Sequence, residues 1–195
     1  MAGKVPHARC KEIEKEILFM YEECEIHTFP IDCFEICRKL HYVVRTYSSL
    51  PPDEQFDAYF LSEDSFSRVE VNPLTGMNEY VIYYNESIGN SGRIRWSIFH
   101  EIAHIYLGHH DHPDDSLYDE EEAEANMFAR YASAPCPLVN EANCETDTDV
   151  AEKFDLSYTA SHWAFVSWQN WLRFGSKSYE DFELQMLKLF NMAVA

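Results

Sequence analysis

The chain has 195 residues, of which 46% are hydrophobic and 15% aromatic, and its formal net charge is −19. That length fits one domain with a small helical appendage, and the apolar content excludes disorder over most of it. The acidic balance excludes a direct binder of nucleic acid or of anionic membranes, because both need Lys and Arg to meet phosphates, and it suits a soluble protein with a basic partner.

Met1 to Cys10 is polar, no apolar signal core follows it, and no apolar run is long enough to span a bilayer. A cytoplasmic location is expected, with reduced thiols at Cys10, Cys24, Cys33, Cys37, Cys136 and Cys144. Ile13, Ile17 and Met20 recur at helical spacing and predict a helix within Ala8 to Ile26. Pro30 interrupts, and a second helix is expected from Ile31 to Leu40 with Phe34, Cys37 and Leu40 toward the core. His41 to Tyr47 reads as a strand, Pro51 and Pro52 mark a loop, and Gln55 to Leu61 suits either helix or strand. Phe66 to Val71 and Glu79 to Tyr84 read as two strands joined by Asn72-Pro73-Leu74-Thr75-Gly76, the second being apolar or aromatic on both faces. Asn90 or Ser91 caps a helix from Arg93 to Leu107 whose buried stripe is Ile94, Ile98, Ile102 and Ile105, and Gly108 stops it. After a polar loop, a helix is expected from Glu120 to Tyr131, then three more at Thr148 to Phe154, Tyr158 to Phe174 and Tyr179 to Ala193. The expected architecture is α+β, a short sheet of about three strands packed on the helix that carries the motif described next.

His100-Glu101-Ile102-Ala103-His104 is an HExxH motif. Histidines four apart on a helix lie about 40° apart around its axis, so both imidazoles can reach one ion from one face. Zinc is the expected ion. Glu101 lies beside it rather than on it, placed to take a proton from a zinc-activated water that then attacks a carbonyl carbon. The spacing therefore predicts a metallopeptidase with Glu101 as general base.

Two histidines need a third protein ligand that leaves a position open for water. The acidic helix after the loop supplies candidates. Glu122, Ala125, Asn126 and Ala129 share a face, and the small alanines allow close approach to the motif helix. Glu122 is the preferred ligand, with Asn126 as its hydrogen-bond partner and Glu121 or Glu124 as fallback ligands. The remaining glutamates suit a solvated helix start.

These residues resemble the ImmA/IrrE family of metallopeptidases over about Ile31 to Phe174. The resemblance rests on Ile82-Tyr83-Tyr84-Asn85, on Arg93-Ile94-Arg95 leading into HExxH and Leu107-Gly108-His109, on Glu122 to Ala129, on Ala134 to Val139, and on Val150 to Ser157 before the helix with Trp163 and Trp168. It implies a zincin-like fold, metal ligands at His100, His104 and Glu122, and a catalytic Glu101. It also implies a zinc endopeptidase that cleaves or inactivates a cognate helix-turn-helix repressor of a mobile genetic element or stress response. The alternative is a metal-containing module that regulates its partner by docking. Ala103 stands where the family often has glycine, and the first thirty residues and the last helix fall outside the resemblance. The chain divides accordingly into an N-terminal helical extension (1–30), a zinc metallopeptidase core (31–140) and a C-terminal helical region (141–195).

Other groupings have plainer readings. His109, His110, Asp111 and His112 read as a polar loop before a second metal site, although one of them, or Tyr106 or Tyr83, can stabilise an oxyanion. Cys24, His27, Cys33 and Cys37 match no common zinc spacing and read as buried helix thiols. The helix pair over Thr148 to Phe174 has too few basic residues to bind DNA, and Trp163, Phe165, Trp168, Trp171 and Leu172 are expected mostly in the core. The strand Val81 to Tyr84, just before the motif helix, is the expected edge on which a substrate backbone pairs, and a basic repressor suits the acidic surface.

Overall fold

A computed structural model describes residues 5–111 and 117–192. The elements run α1 (His7–Glu23), α2 (Cys33–Lys39), β1 (Val43–Thr46), α3 (Pro52–Leu61), β2 (Ser65–Val71), β3 (Asn78–Tyr84), α4 (Ser91–Tyr106), α5 (Tyr118–Ser133), α6 (Cys136–Glu141), α7 (Asp147–Phe154), α8 (Tyr158–Phe174) and α9 (Asp181–Leu189). The fold is α+β and zincin-like, mostly helical with one three-stranded mixed sheet. No described helix is long and apolar enough to cross a membrane.

The sheet order is β1-β3-β2, with β1 parallel and β2 antiparallel to β3. β3 is therefore central, which accounts for its apolar residues on both faces. Ile82 joins the main core, whereas Val81 and Tyr83 point the other way into a smaller cluster with Tyr47, Leu50 and Ala58. The central position also corrects the expectation that Val81 to Tyr84 offers a free edge. Both its sides are paired, and the edge beside α4 belongs to β2.

Gln55 to Leu61 proves helical, since Pro51 and Pro52 open a helix where their missing N–H groups cost nothing. Its pattern was unreadable because Phe56, Phe60 and Leu61 face outward. The same tolerance for proline in a first turn produces α6, a helix that the sequence analysis does not anticipate. Phe34 lies on the exposed side of α2, edge-on to Tyr84, and not in the core. Trp163 and Leu172 are likewise exposed on α8, while Phe165, Trp168 and Trp171 pack partly buried against the core. The proposed end of the last helix at Ala193 lies outside the described residues.

The main core is a cluster that includes Ile13 and Ile17 of α1, Ile98 and Ile102 of α4, Phe128 of α5, Leu138 of α6 and Leu187 of α9. α4 lies at its centre, against the sheet on one side and α5 on the other. Asn90 caps α4 by accepting the Arg93 N–H, and Arg93 clamps Asp64 through two hydrogen bonds of 3.1 and 2.6 Å, tying the start of α4 to that of β2. Gly92 fixes the other contact. A Cβ there would meet the Ser157 nitrogen at 2.3 Å and the Leu156 carbonyl carbon at 2.7 Å. Both are backbone atoms that cannot swing aside. We expect Gly92→Ala to destabilise the fold by about 1–3 kcal/mol or more, read as a lower urea midpoint. An unchanged midpoint would show that the chain before α8 yields freely.

Candidate metal centre

The buried stripe of α4 turns His100 and His104 outward on one side, toward α5, whose Ala125 and Ala129 are fully buried at the interface. Absence of bulk at those two positions brings Glu122 within reach. His100 Nε2 and His104 Nε2 are 3.1 Å apart, and the Glu122 carboxylate oxygens lie 3.5 Å from His100 Nε2 and 3.2 Å from His104 Nε2. Three donors held by an ion at about 2.0–2.2 Å in tetrahedral geometry would stand about 3.3–3.6 Å from one another. The observed triangle is close to that size, and its donor types suit zinc. Among the described residues this is the one group of His, Cys, Asp or Glu side chains within common ligand reach.

The electrostatics agree. Hydrogen bonds from His100 and His104 hold the Glu122 carboxyl well below the usual carboxylate range, against the opposing effect of its burial. Three lone-pair donors facing one another with no cation between them are mutually satisfied only by shared protons, which an ion would replace. Trp96 stacks on His100 with ring centroids 5.5 Å apart and so limits that imidazole's rotation. Asn126 donates to the Glu122 main-chain carbonyl at 2.7 Å, so it steadies the helix turn and not the carboxylate as the sequence suggested.

Glu101 points elsewhere. It is buried, and its two oxygens accept hydrogen bonds from Ser65 Oγ at 2.9 Å and Ser67 Oγ at 2.7 Å. Ser67 spends its only hydrogen on Glu101, so it accepts from His110 Nε2 at 2.9 Å. The two serines occupy alternate positions of β2 and share its α4-facing side. Nothing in the sequence said which face of β2 met α4, and these residues were missed. With Trp96, His110 and Tyr118 they line an open cleft of about 500 Å³ that contains His100, Glu101, His104 and Glu122.

The remaining candidates separate clearly. Tyr83 is buried on the far face of the sheet, bonding Glu70 and Arg45, and Tyr106 packs against Phe128 outside the cleft. Neither lines the cleft. His109 is not a loop residue in water but is buried, 3.1 Å from His104 through the two Nδ1 atoms, and burial followed by the nearby His104 lowers its pKa below the usual histidine value. Asp111 is exposed and His112 lies outside the described residues. Glu124 is taken by Arg9 and His109. The thiols of Cys24, Cys33 and Cys37 are buried, and burial pushes Cys24 up to about 11 and Cys33 up to about 12. They are inert core residues, as their spacing suggested.

Comparison with known families gives one match. The model of a peptidase family, described as the IrrE N-terminal-like domain, matches residues 52–161, more than half of the chain, and the match contains β2, β3, α4, α5 and the whole cleft. No curated protein matches the chain.

Proposed function

Since the chain belongs to this peptidase family, the IrrE N-terminal-like domain, we propose that it is a zinc-dependent endopeptidase whose metal is held by His100, His104 and Glu122 and whose general base is Glu101. Family membership makes it a metallopeptidase-type protein acting on a protein substrate. The observation that carries the finer reading is the tetrahedron-sized triangle of two Nε2 atoms and one carboxylate, beside a separate buried carboxylate in an open cleft.

Zinc bound there supplies a Lewis acid that lowers the pKa of water toward about 7. The chain's own residues do the rest. Glu101, oriented by Ser65 and Ser67, takes the proton of the attacking water and passes it to the departing amine. Tyr118 is the hydrogen-bond donor of the cleft wall left for a carbonyl oxygen as it gains charge, since His110 gives its Nε2 hydrogen to Ser67. Along the cleft, the free edge of β2 accepts an extended peptide by strand addition. A neighbouring hollow of about 760 Å³ shares Asp64, Trp96 and Asn126 with the cleft and gives room for flanking residues.

The substrate we propose is a basic helix-turn-helix repressor of a mobile element or stress response, met in the cytoplasm without direct contact to nucleic acid. The net charge of −19 supports this by steering a cationic partner. In that arrangement residues 31–140 form the catalytic core, and the segments 1–30 and 141–195 flank it. The test is incubation of the zinc-loaded chain with purified basic helix-turn-helix repressors. We expect discrete fragments and a rate that falls several-fold between about 0.05 and about 0.5 M salt, as screening shortens the reach of the field. A salt-independent rate would remove the charge argument. Relief of repression by a chain carrying Glu101→Gln would favour regulation by docking.

A further inference from the structure

We propose that the N-terminal helix tunes the metal centre through a relay of side chains, Arg9 to Glu124 to His109 to His104, which makes Arg9 and Glu124 positioning residues for metal affinity. The inference rests on the reading of His104 as a metal ligand. It concerns a part of the chain, α1, that lies outside the residues matched by the peptidase family.

The relay follows from hydrogen bookkeeping on the two imidazoles. When His104 Nε2 faces the donor triangle as a ligand, the ring hydrogen must sit on Nδ1. That atom lies 3.1 Å from His109 Nδ1, which therefore accepts. A neutral His109 that accepts at Nδ1 carries its hydrogen on Nε2, and Nε2 faces Glu124 Oε2 at 3.5 Å. His109 is only 7% exposed, so solvent is a poor substitute for that carboxylate. Gly108, at φ +75°, makes the turn that folds His109 back under α4.

Glu124 is held in turn by a fork. Arg9 Nε donates to Oε1 at 2.9 Å and Arg9 Nη2 to Oε2 at 2.8 Å. Arg9 has Glu12 and Glu16 within 3.3 and 3.5 Å on its own helix, yet the bidentate geometry goes to Glu124. The anion at the end of the relay makes the His104 ring a better donor, and the guanidinium fixes where that anion stands. Each ring keeps one hydrogen, and the only full charges, Arg9 and Glu124, cancel.

The experiment measures zinc affinity of the full chain by competition with a chromophoric chelator, for wild type, Glu124→Gln, Arg9→Gln, Arg9→Lys, the double Gln variant and Lys11→Gln. The last is a control. It removes different α1 ion pairs, Lys11 to Glu14 at 3.1 Å and to Glu180 at 3.0 Å, without touching the relay. We expect Glu124→Gln to weaken zinc binding about 10-fold or more and Arg9→Gln several-fold. The double variant should be no weaker than Glu124→Gln, and Lys11→Gln should leave affinity unchanged. An unchanged affinity in Arg9→Gln would overturn the relay, as would an equal loss in Lys11→Gln, which would mean that α1 docking alone matters. If Arg9→Gln does not fold, Arg9→Lys decides, because one ammonium cannot reproduce the fork, and wild-type affinity there overturns the relay. A wild-type chain that binds no zinc would sink the metal reading as well, whereas zinc binding indifferent to Arg9 sinks the relay alone.

Discussion

Glu101→Gln is expected to slow peptide-bond hydrolysis by about 10²–10⁴-fold, the range for loss of a positioned general base, while zinc content and the unfolding midpoint stay near wild type. The reason for the separation is geometric. Glu101 contributes no atom to the triangle of His100, His104 and Glu122, so the substitution leaves the donor set intact. It also keeps the local hydrogen bonds in large part. A glutamine accepts from one serine with its carbonyl oxygen and donates to the other with its amide, which requires only that one hydroxyl rotate. What the amide cannot do is take a proton. Single-turnover cleavage of a repressor substrate, with zinc measured on the same samples, checks this. Hydrolysis within a few-fold of wild type would show that another group is the base, and His110 would be the first to test.

His104→Ala should have the second large effect, on metal and stability together. It removes one of the three donors and strands His109, whose Nδ1 has its partner only in that ring among the described residues. Zinc binding should fall below detection at micromolar concentrations, and activity with it. A ligand that binds only the folded state adds stability by mass action, about 4 kcal/mol when free zinc is 1,000 times its Kd. Wild-type protein should therefore melt distinctly higher with zinc than with a chelator, and His104→Ala should show no such difference. A zinc-dependent rise in Tm that survives the substitution would move the metal elsewhere in the chain.

Local spacing carried most of the candidate site. His100, Glu101 and His104 sit within five residues, and Glu122 shares a helix face with the alanines that let it approach, so periodicity alone could align them. The groups that support them come from distant segments. Ser65 and Ser67 depend on which face of β2 meets α4, a matter of tertiary packing. Arg9 and Glu124 are 115 residues apart, and no spacing rule relates them. The same division runs through the fold. α4 and α5 were readable because each has a buried stripe. α3 was ambiguous because its aromatic residues face outward, and Trp163 was assigned to the core because an exposed tryptophan looks like a buried one in sequence. β3 read correctly as apolar on both faces but wrongly as an edge, since its neighbours are set by the pairing of β1 and β2 around it.

X-ray absorption on the zinc-loaded chain tests the metal centre most directly. The account predicts one zinc per chain with nitrogen and oxygen neighbours at about 2.0–2.2 Å, two of them imidazoles, and no sulfur. Scattering from sulfur at about 2.3 Å, or a preparation that takes up no zinc at all, would contradict it.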